Sequence, residues 1–286
     1  MLTSDKAEEL IIKSISNDIL EYTIQFFRTG KQSRPQSMGS GVLLRLGSKH
    51  FLLTAAHIAD EYDDVYLLIG HEASSIGGIT RTYPLPASGE REDDKIDVSI
   101  CELDNDTIEY INRRHRFLEF TDLLLDHKPI YHPIYLIVGF PSTKTKVIFG
   151  TRRMEPIAIT LLTKPFPNLQ YDQFGFDPII TLPFEFNGLV TSTDNPSPHL
   201  APRLEGISGG GVWQITQISP YPRINRKLVG ILIERNNQPG QKALISIKID
   251  FITEYLRQVC YVNIPKSSSI NVSFEKSLTD SEYTTT

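Results

Sequence analysis

The chain has 286 residues, 40% hydrophobic and 22% charged, with 29 basic against 34 acidic side chains and a net charge of −5. That length allows one or two domains whose core needs no disulfide staples. The mild acidity, without any strongly basic block, argues against a phosphate-neutralising face for nucleic acid.

Residues 4–17 (SDKAEELIIKSISN) set Leu10, Ile11 and Ile15 on one side and predict a short helix on the outside of a domain. ILEYTIQFF (19–27) is rich in β-branched and aromatic residues and predicts a strand, and the polar stretch 28–38 a loop. GVLLRL (41–46), the pair Gly47–Ser48 and KHFLLT (49–54) predict a hairpin that runs out into Ala55, Ala56 and His57. A helical turn is expected over 58–64, then a strand at VYLLIG (65–70), then loops around one or two edge strands in 71–95. IDVSICEL (96–103) alternates as a strand should. The polar stretch 104–130 reads as a crossover between two halves of one fold.

Strands resume at 133–140, 146–152, 156–163 and 179–184, followed by the polar stretch 191–202. GVWQITQIS (211–219), KLVGILIER (227–235) and ALISIKI (243–249) continue the series, and DFITEYLRQV (250–259) predicts a closing helix. Residues 266–286 are rich in Ser and Thr and predict a mobile tail. Many short strands in two clusters of similar size point to paired β-barrels or a β-sandwich.

Two cysteines, Cys101 and Cys260, make no disulfide framework; buried free thiols are expected, with one bridge left open. The N-terminal residues lack a basic segment followed by a long apolar core, so they do not read as a secretory signal. No run approaches 18 apolar residues, so no membrane span is expected and the simplest address is the cytoplasm.

The stretch PRLEGISGGGVW (202–213) sets Ser208 among Gly206, Gly209, Gly210 and Gly211. Glycines permit backbone angles that let a serine present its hydroxyl and its own N–H to one incoming atom, which a nucleophile beside an oxyanion hole requires. A plain Gly-rich hairpin turn fits the same residues. A serine nucleophile also needs a base, and the base an orienting acid. Of seven histidines, only His57 closes a strongly apolar strand after three small residues, Thr54, Ala55 and Ala56. Asp97 sits between Ile96 and Val98 in a strand pattern, where an aspartate needs a partner. Holding an imidazole N–H is one reason for it; a local backbone bond is another.

Taken together, GSGVLL with FLLTAAHIAD, IDVSICEL, and GISGGGVW followed by LVGI resemble the chymotrypsin-like (trypsin-like) serine peptidases. The order His57, Asp97, Ser208 is that family's order, with separations of 40 and 111 residues. The resemblance covers roughly residues 18–260. It implies an all-β fold of two six-stranded antiparallel barrels, a first over 18–120 and a second with the closing helix over 121–262; the helical extension over 1–17 and the tail over 263–286 fall outside the resemblance. It further implies a triad of Ser208, His57 and Asp97, an oxyanion hole from the N–H groups of Gly206 and Ser208, and no metal or organic cofactor.

Two positions depart from the family pattern. Digestive members carry an aspartate before the nucleophile to receive a freshly cut N-terminus, and here that position is Ile207. The chain is in this respect more similar to the intracellular bacterial branch. Members also carry a serine three residues after the glycine of the LVGI strand, where it supports the triad aspartate; here it is Ile233, so support for Asp97 is expected from Ser99 or backbone N–H groups. A pocket beside the scissile bond is expected along Pro202, Arg203, Glu205, Ile233, Glu234 and Arg235. The position of trypsin's pocket-floor aspartate falls near Pro202, so no simple preference for Arg or Lys is indicated. The expected activity is that of a serine endopeptidase with narrow or partner-gated specificity; the alternative is a peptide-binding pseudo-protease. Expected partners are a protein or peptide substrate and an activating protein, with no nucleic acid and no membrane.

Overall fold

The computed structural model describes residues 13–30, 35–61, 64–69, 72–83, 94–128, 134–148, 153–166, 176–195, 197–217, 225–236, 242–274 and 281–283. The first half forms β1 (Thr23–Thr29), β2 (Pro35–Leu46), β3 (Lys49–Ala55), α2 (Ala56–Ala59, after the helix α1 at residues 13–20), β4 (Val65–Ile69), β5 (Glu72–Ser75), β6 (Gly78–Thr82), β7 (Val98–Leu103) and α3 (Asn105–Asn112). The second forms β8 (Ile134–Gly139), β9 (Thr145–Ile148), β10 (Arg153–Pro156), β11 (Ile159–Thr163), β12 (Thr181–Glu185), β13 (Leu189–Ser192), β14 (His199–Leu200), β15 (Gly211–Gln217), β16 (Asn225–Asn236), β17 (Ala243–Lys248), α4 (Ile249–Gln258) and β18 (Ser281–Tyr283).

These strands make two curled antiparallel sheets, in the orders β18-β6-β7-β3-β2-β1-β4-β5 and β12-β17-β16-β15-β8-β11-β13-β14, and a separate hairpin of β9 and β10. The expected pair of barrels is present, with short edge strands bringing each sheet to eight rather than six.

In the central strands both faces are buried: successive side chains point to opposite sides, and each side meets a hydrophobic cluster. Along β2, Leu43 packs with Phe26, Leu52 and Leu67 inside the first sheet. Its neighbours Val42 and Leu44 join Leu136, Val138, Trp213 and Ile231 of the second sheet in a larger cluster at the junction. Ile137, between Leu136 and Val138, turns inward to Leu161, Phe184 and Val212. This is why GVLL (41–44) and IYLIVG (134–139) are continuous apolar runs rather than alternating ones.

Five local expectations change. Helix α1 runs to residue 20, so the strand expected at 19–27 starts only at Thr23. Nor does α1 lie on the outside: Ile15 and Ile19, one turn apart, are buried in the junction cluster, and the Arg226 guanidinium bonds Asp18 and Asp122. The crossover contains α3, whose N-cap Asp104 accepts from the Thr107 N–H at 2.8 Å and whose Tyr110 and Ile111 are buried. The polar stretch 191–202 contributes to the small pair β13–β14. Finally, residues 263–274 are packed: Ile270 is buried, Phe274 stacks edge-on against Phe251 and Tyr255, and the Ser267 N–H donates to Glu254. Ile264, Ile270, Val272 and Phe274 supply the apolar contacts that a Ser-rich composition conceals. The start of the N-terminal segment, residues 1–12, lies outside the described residues.

Candidate functional site

His57 stands at the first turn after β3, with its side chain 43% exposed, while the Asp97 side chain is 10% exposed. Asp97 does not sit inside a strand; it precedes β7 in a left-handed bend with φ of 32°. Aspartate tolerates that region better than most residues. The bend is pinned by a bond from the Ala56 N–H to the Asp97 carbonyl at 3.0 Å. It turns the carboxylate back on His57: Oδ1 accepts the His57 backbone N–H at 2.9 Å and Oδ2 meets Nδ1 at 2.7 Å. An ionised carboxylate only accepts, so this pairing places a proton on Nδ1. Expected support from Ser99 is not found, since its hydroxyl bonds the Thr82 hydroxyl at 3.0 Å. Ile233, where the family's supporting serine would stand, is buried in the junction cluster. The histidine's own N–H takes the second carboxylate oxygen instead.

The turn around Ser208 is fixed carbonyl by carbonyl. Glu205 O accepts from the Ser142 N–H at 2.7 Å, Ile207 O from the Gly210 N–H at 2.9 Å and Ser208 O from the Ser40 N–H at 2.9 Å. Gly206 O accepts from the Ser40 hydroxyl at 3.1 Å. In a trans peptide the N–H points opposite to the C=O, so holding four carbonyls aims the next four N–H groups. Two of them are paired: Ile207 donates to Leu204 O at 3.0 Å and Gly209 to Leu232 O at 2.8 Å. The N–H groups of Gly206 and Ser208 have no acceptor among the described residues. They leave the turn on the sides opposite Glu205 O and Ile207 O.

Glycine is required at two places. Gly206 has φ of 89°, and Gly209, at 82°, would put a Cβ 1.9 Å from the Ser40 carbonyl and 2.5 Å from the Thr54 hydroxyl. Thr54, fully buried on β3, donates to Ser40 O at 2.8 Å and lies three residues before His57. The serine turn is therefore seated on the end of the strand that carries the histidine.

Ile207 is buried, with its side chain over Gly139, in the inner cluster of the second sheet. No carboxylate replaces it. Of the expected pocket residues, Pro202 is half-buried, Arg203 and Glu205 are exposed, and Ile233 is buried at a bulge of β16 between Leu232 and Glu234. The Glu234 and Arg235 side chains lie outside the described residues. Both cysteines are free and buried, and burial pushes the Cys101 thiol up to about 11, which rules it out as a ready nucleophile. Among the described residues no group of three His, Cys, Asp or Glu could hold a metal ion, and no helix is long and apolar enough to cross a membrane. The residue that sequence reasoning missed is Ser40; the GSG triplet was visible, but not what its hydroxyl reaches.

No protein-family model matches the sequence, and no curated protein is similar to it. The fold is shared with solved structures. The chain is similar to an inactivated protease paralogue of the scabies mite, over 87% of this chain and 97% of that one, at 12% identity and a TM-score of 0.53. A further similar structure is Rv3671c of M. tuberculosis H37Rv, an inactive serine-to-alanine mutant, matched over 90% of this chain and 95% of that one at 10% identity and a TM-score of 0.45. The architecture is that of a chymotrypsin-like double barrel. At such identity the likeness concerns the fold; chemistry has to be argued from the residues.

Proposed function

We propose that this chain is a serine endopeptidase acting on a protein substrate. The observation that carries the reading is the pair of N–H groups of Gly206 and Ser208, without acceptors among the described residues, in a serine turn packed against the end of β3 just before the aspartate-held His57. In this reading the Ser208 hydroxyl attacks the scissile carbonyl while His57 Nε2 takes its proton. The oxyanion receives the two N–H groups, each worth about 2.7–4 kcal/mol of transition-state stabilisation. His57 then protonates the leaving amine, and Asp97 holds the tautomer and steadies the imidazolium. Water, deprotonated by the same His57, releases the acyl group. No metal or cofactor enters these steps.

Ile207 cannot receive an ammonium group, so we place the chain with the intracellular bacterial branch and assign its control to narrow specificity or to a protein partner. Two free, buried thiols fit a reducing, cytoplasmic setting. Pro202, Arg203 and Glu205 would flank the substrate side chain. A second reading, a peptide-binding pseudo-protease, draws on Ile233 in place of the supporting serine and on the inactivated paralogue that has this fold. A fluorophosphonate probe separates the two. We expect labelling of Ser208 in the wild type and none in Ser208→Ala. Folded wild-type protein that stays unlabelled, alone and with the proteins encoded beside it, would overturn the peptidase reading.

A further inference from the structure

Ser40 is fully buried on β2 and belongs to the first barrel, yet its polar atoms reach both the end of β8 and the serine turn of the second. Its hydroxyl accepts the Phe140 N–H at 2.8 Å, just past β8, and donates to Gly206 O at 3.1 Å. Its backbone N–H donates to Ser208 O at 2.9 Å, and its carbonyl accepts from the Thr54 hydroxyl at 2.8 Å. The neighbouring glycines make room for this. A Cβ on Gly39 would meet Ile58, the residue after His57, at 2.1 Å. A Cβ on Gly139 would stand 2.9 Å from the Ser40 hydroxyl and 2.8 Å from Ile207.

We infer that the Ser40 hydroxyl is a positioning residue for the oxyanion hole: it orients the Gly206–Ile207 peptide between the two free N–H groups and locks that peptide to the histidine-bearing barrel. The inference rests on the peptidase reading and deepens it. A serine hydroxyl has one donor and two acceptor sites, so it can satisfy a carbonyl and an N–H together, which no apolar side chain of that size can do. Without it, Phe140 N–H and Gly206 O are left unpaired in a closed junction, and the turn can relax by rotating that peptide. Ser40 touches no reacting atom. Its effect belongs to the transition state, where oxyanion and N–H must meet, rather than to substrate binding.

The test compares wild type, Ser40→Ala, Ser40→Thr and a control, Thr160→Ala, which removes a buried hydroxyl bonded to Ser16 at 2.9 Å away from the site. With a peptide substrate chosen from a library, Ser40→Ala is expected to lower kcat about 10- to 100-fold at unchanged KM. Affinity for a peptide boronic acid should fall in step, and Ser40→Thr should restore part of both. Thr160→Ala should leave kcat near the wild-type value. Amide hydrogen exchange in Ser40→Ala should quicken over 138–142 and 204–210 and nowhere else. Wild-type kcat and boronate affinity in Ser40→Ala, or losses matched by Thr160→Ala, would overturn the inference. If the wild type itself neither labels nor turns over, the peptidase reading falls separately. The exchange data then decide: unchanged protection of the turn in Ser40→Ala refutes the tie.

Discussion

Asp97 takes a backbone angle, φ of 32°, that is uncommon for a non-glycine residue and best tolerated by Asp and Asn. Here the cause is visible: the bend lets one carboxylate meet both the N–H and the ring of His57. Asparagine also accepts left-handed backbone, so Asp97→Asn should fold with nearly the wild-type melting temperature. Its amide would face Nδ1 as a donor and favour the wrong tautomer, and kcat should drop by about 10⁴-fold. A kcat within tenfold of wild type would remove Asp97 from the proposed triad. Ile207 makes the complementary case. It is 3% exposed among Leu204, Val212 and Leu232. Ile207→Asp would bury a carboxylate with no partner, and we expect a loss of more than about 3 kcal/mol in urea unfolding, with no gain in activity.

At the scale of elements, the helices show how polar composition can hide structure. The crossover that reads as loop carries α3 because Asp104 caps it and because Tyr110 and Ile111 fall on one buried side. Asp104→Ala should cost about 1 kcal/mol by denaturant titration and leave kcat/KM unchanged, since the helix lies away from the serine turn. The stretch after α4 behaves likewise. Ser267 and Ser269 bond Asp250 while Ile270 is 1% exposed in the junction cluster, so Ile270→Ala should lose about 2–5 kcal/mol. A loss under 0.5 kcal/mol would mean that 263–274 is not held as described. Strands were the more readable elements. The β2–β3 hairpin follows from two apolar runs around Gly47–Ser48, whereas β14, two residues long, has no pattern to detect.

Across the whole molecule, burial lowers the pKa of His50, His115 and, most strongly, His127, and the last makes an expected pH response testable. His127 is 8% exposed, its Nε2 3.0 Å from the Tyr135 hydroxyl. Burial lowers it to about 4, more strongly than nearby Asp250 raises it, and Lys248 lowers it further. The unfolded value is about 6.5, so between the two the unfolded chain binds a proton that the native one does not. Stability should therefore decline as pH falls from about 6.5 towards 4, with a slope of at most about 1.4 kcal/mol per pH unit from this group, whose contribution is constant below that range. Urea midpoints measured across that range should fall less steeply in His127→Gln. An equal slope in both proteins would assign the response to other groups.

Residue types and their spacing were enough for two strand clusters, the closing helix, and a histidine, an aspartate and a glycine-flanked serine in a meaningful order. Those features are local: hydrophobic runs, turn glycines, and short motifs that each lie within a dozen residues. The support of Asp97 by the His57 N–H, the docking of α1 and the arrangement of the serine turn were decided only by tertiary structure. Each depends on a bond to a group distant in sequence. The Gly206 carbonyl, for example, is held by a hydroxyl 166 residues away, and no window of sequence contains both.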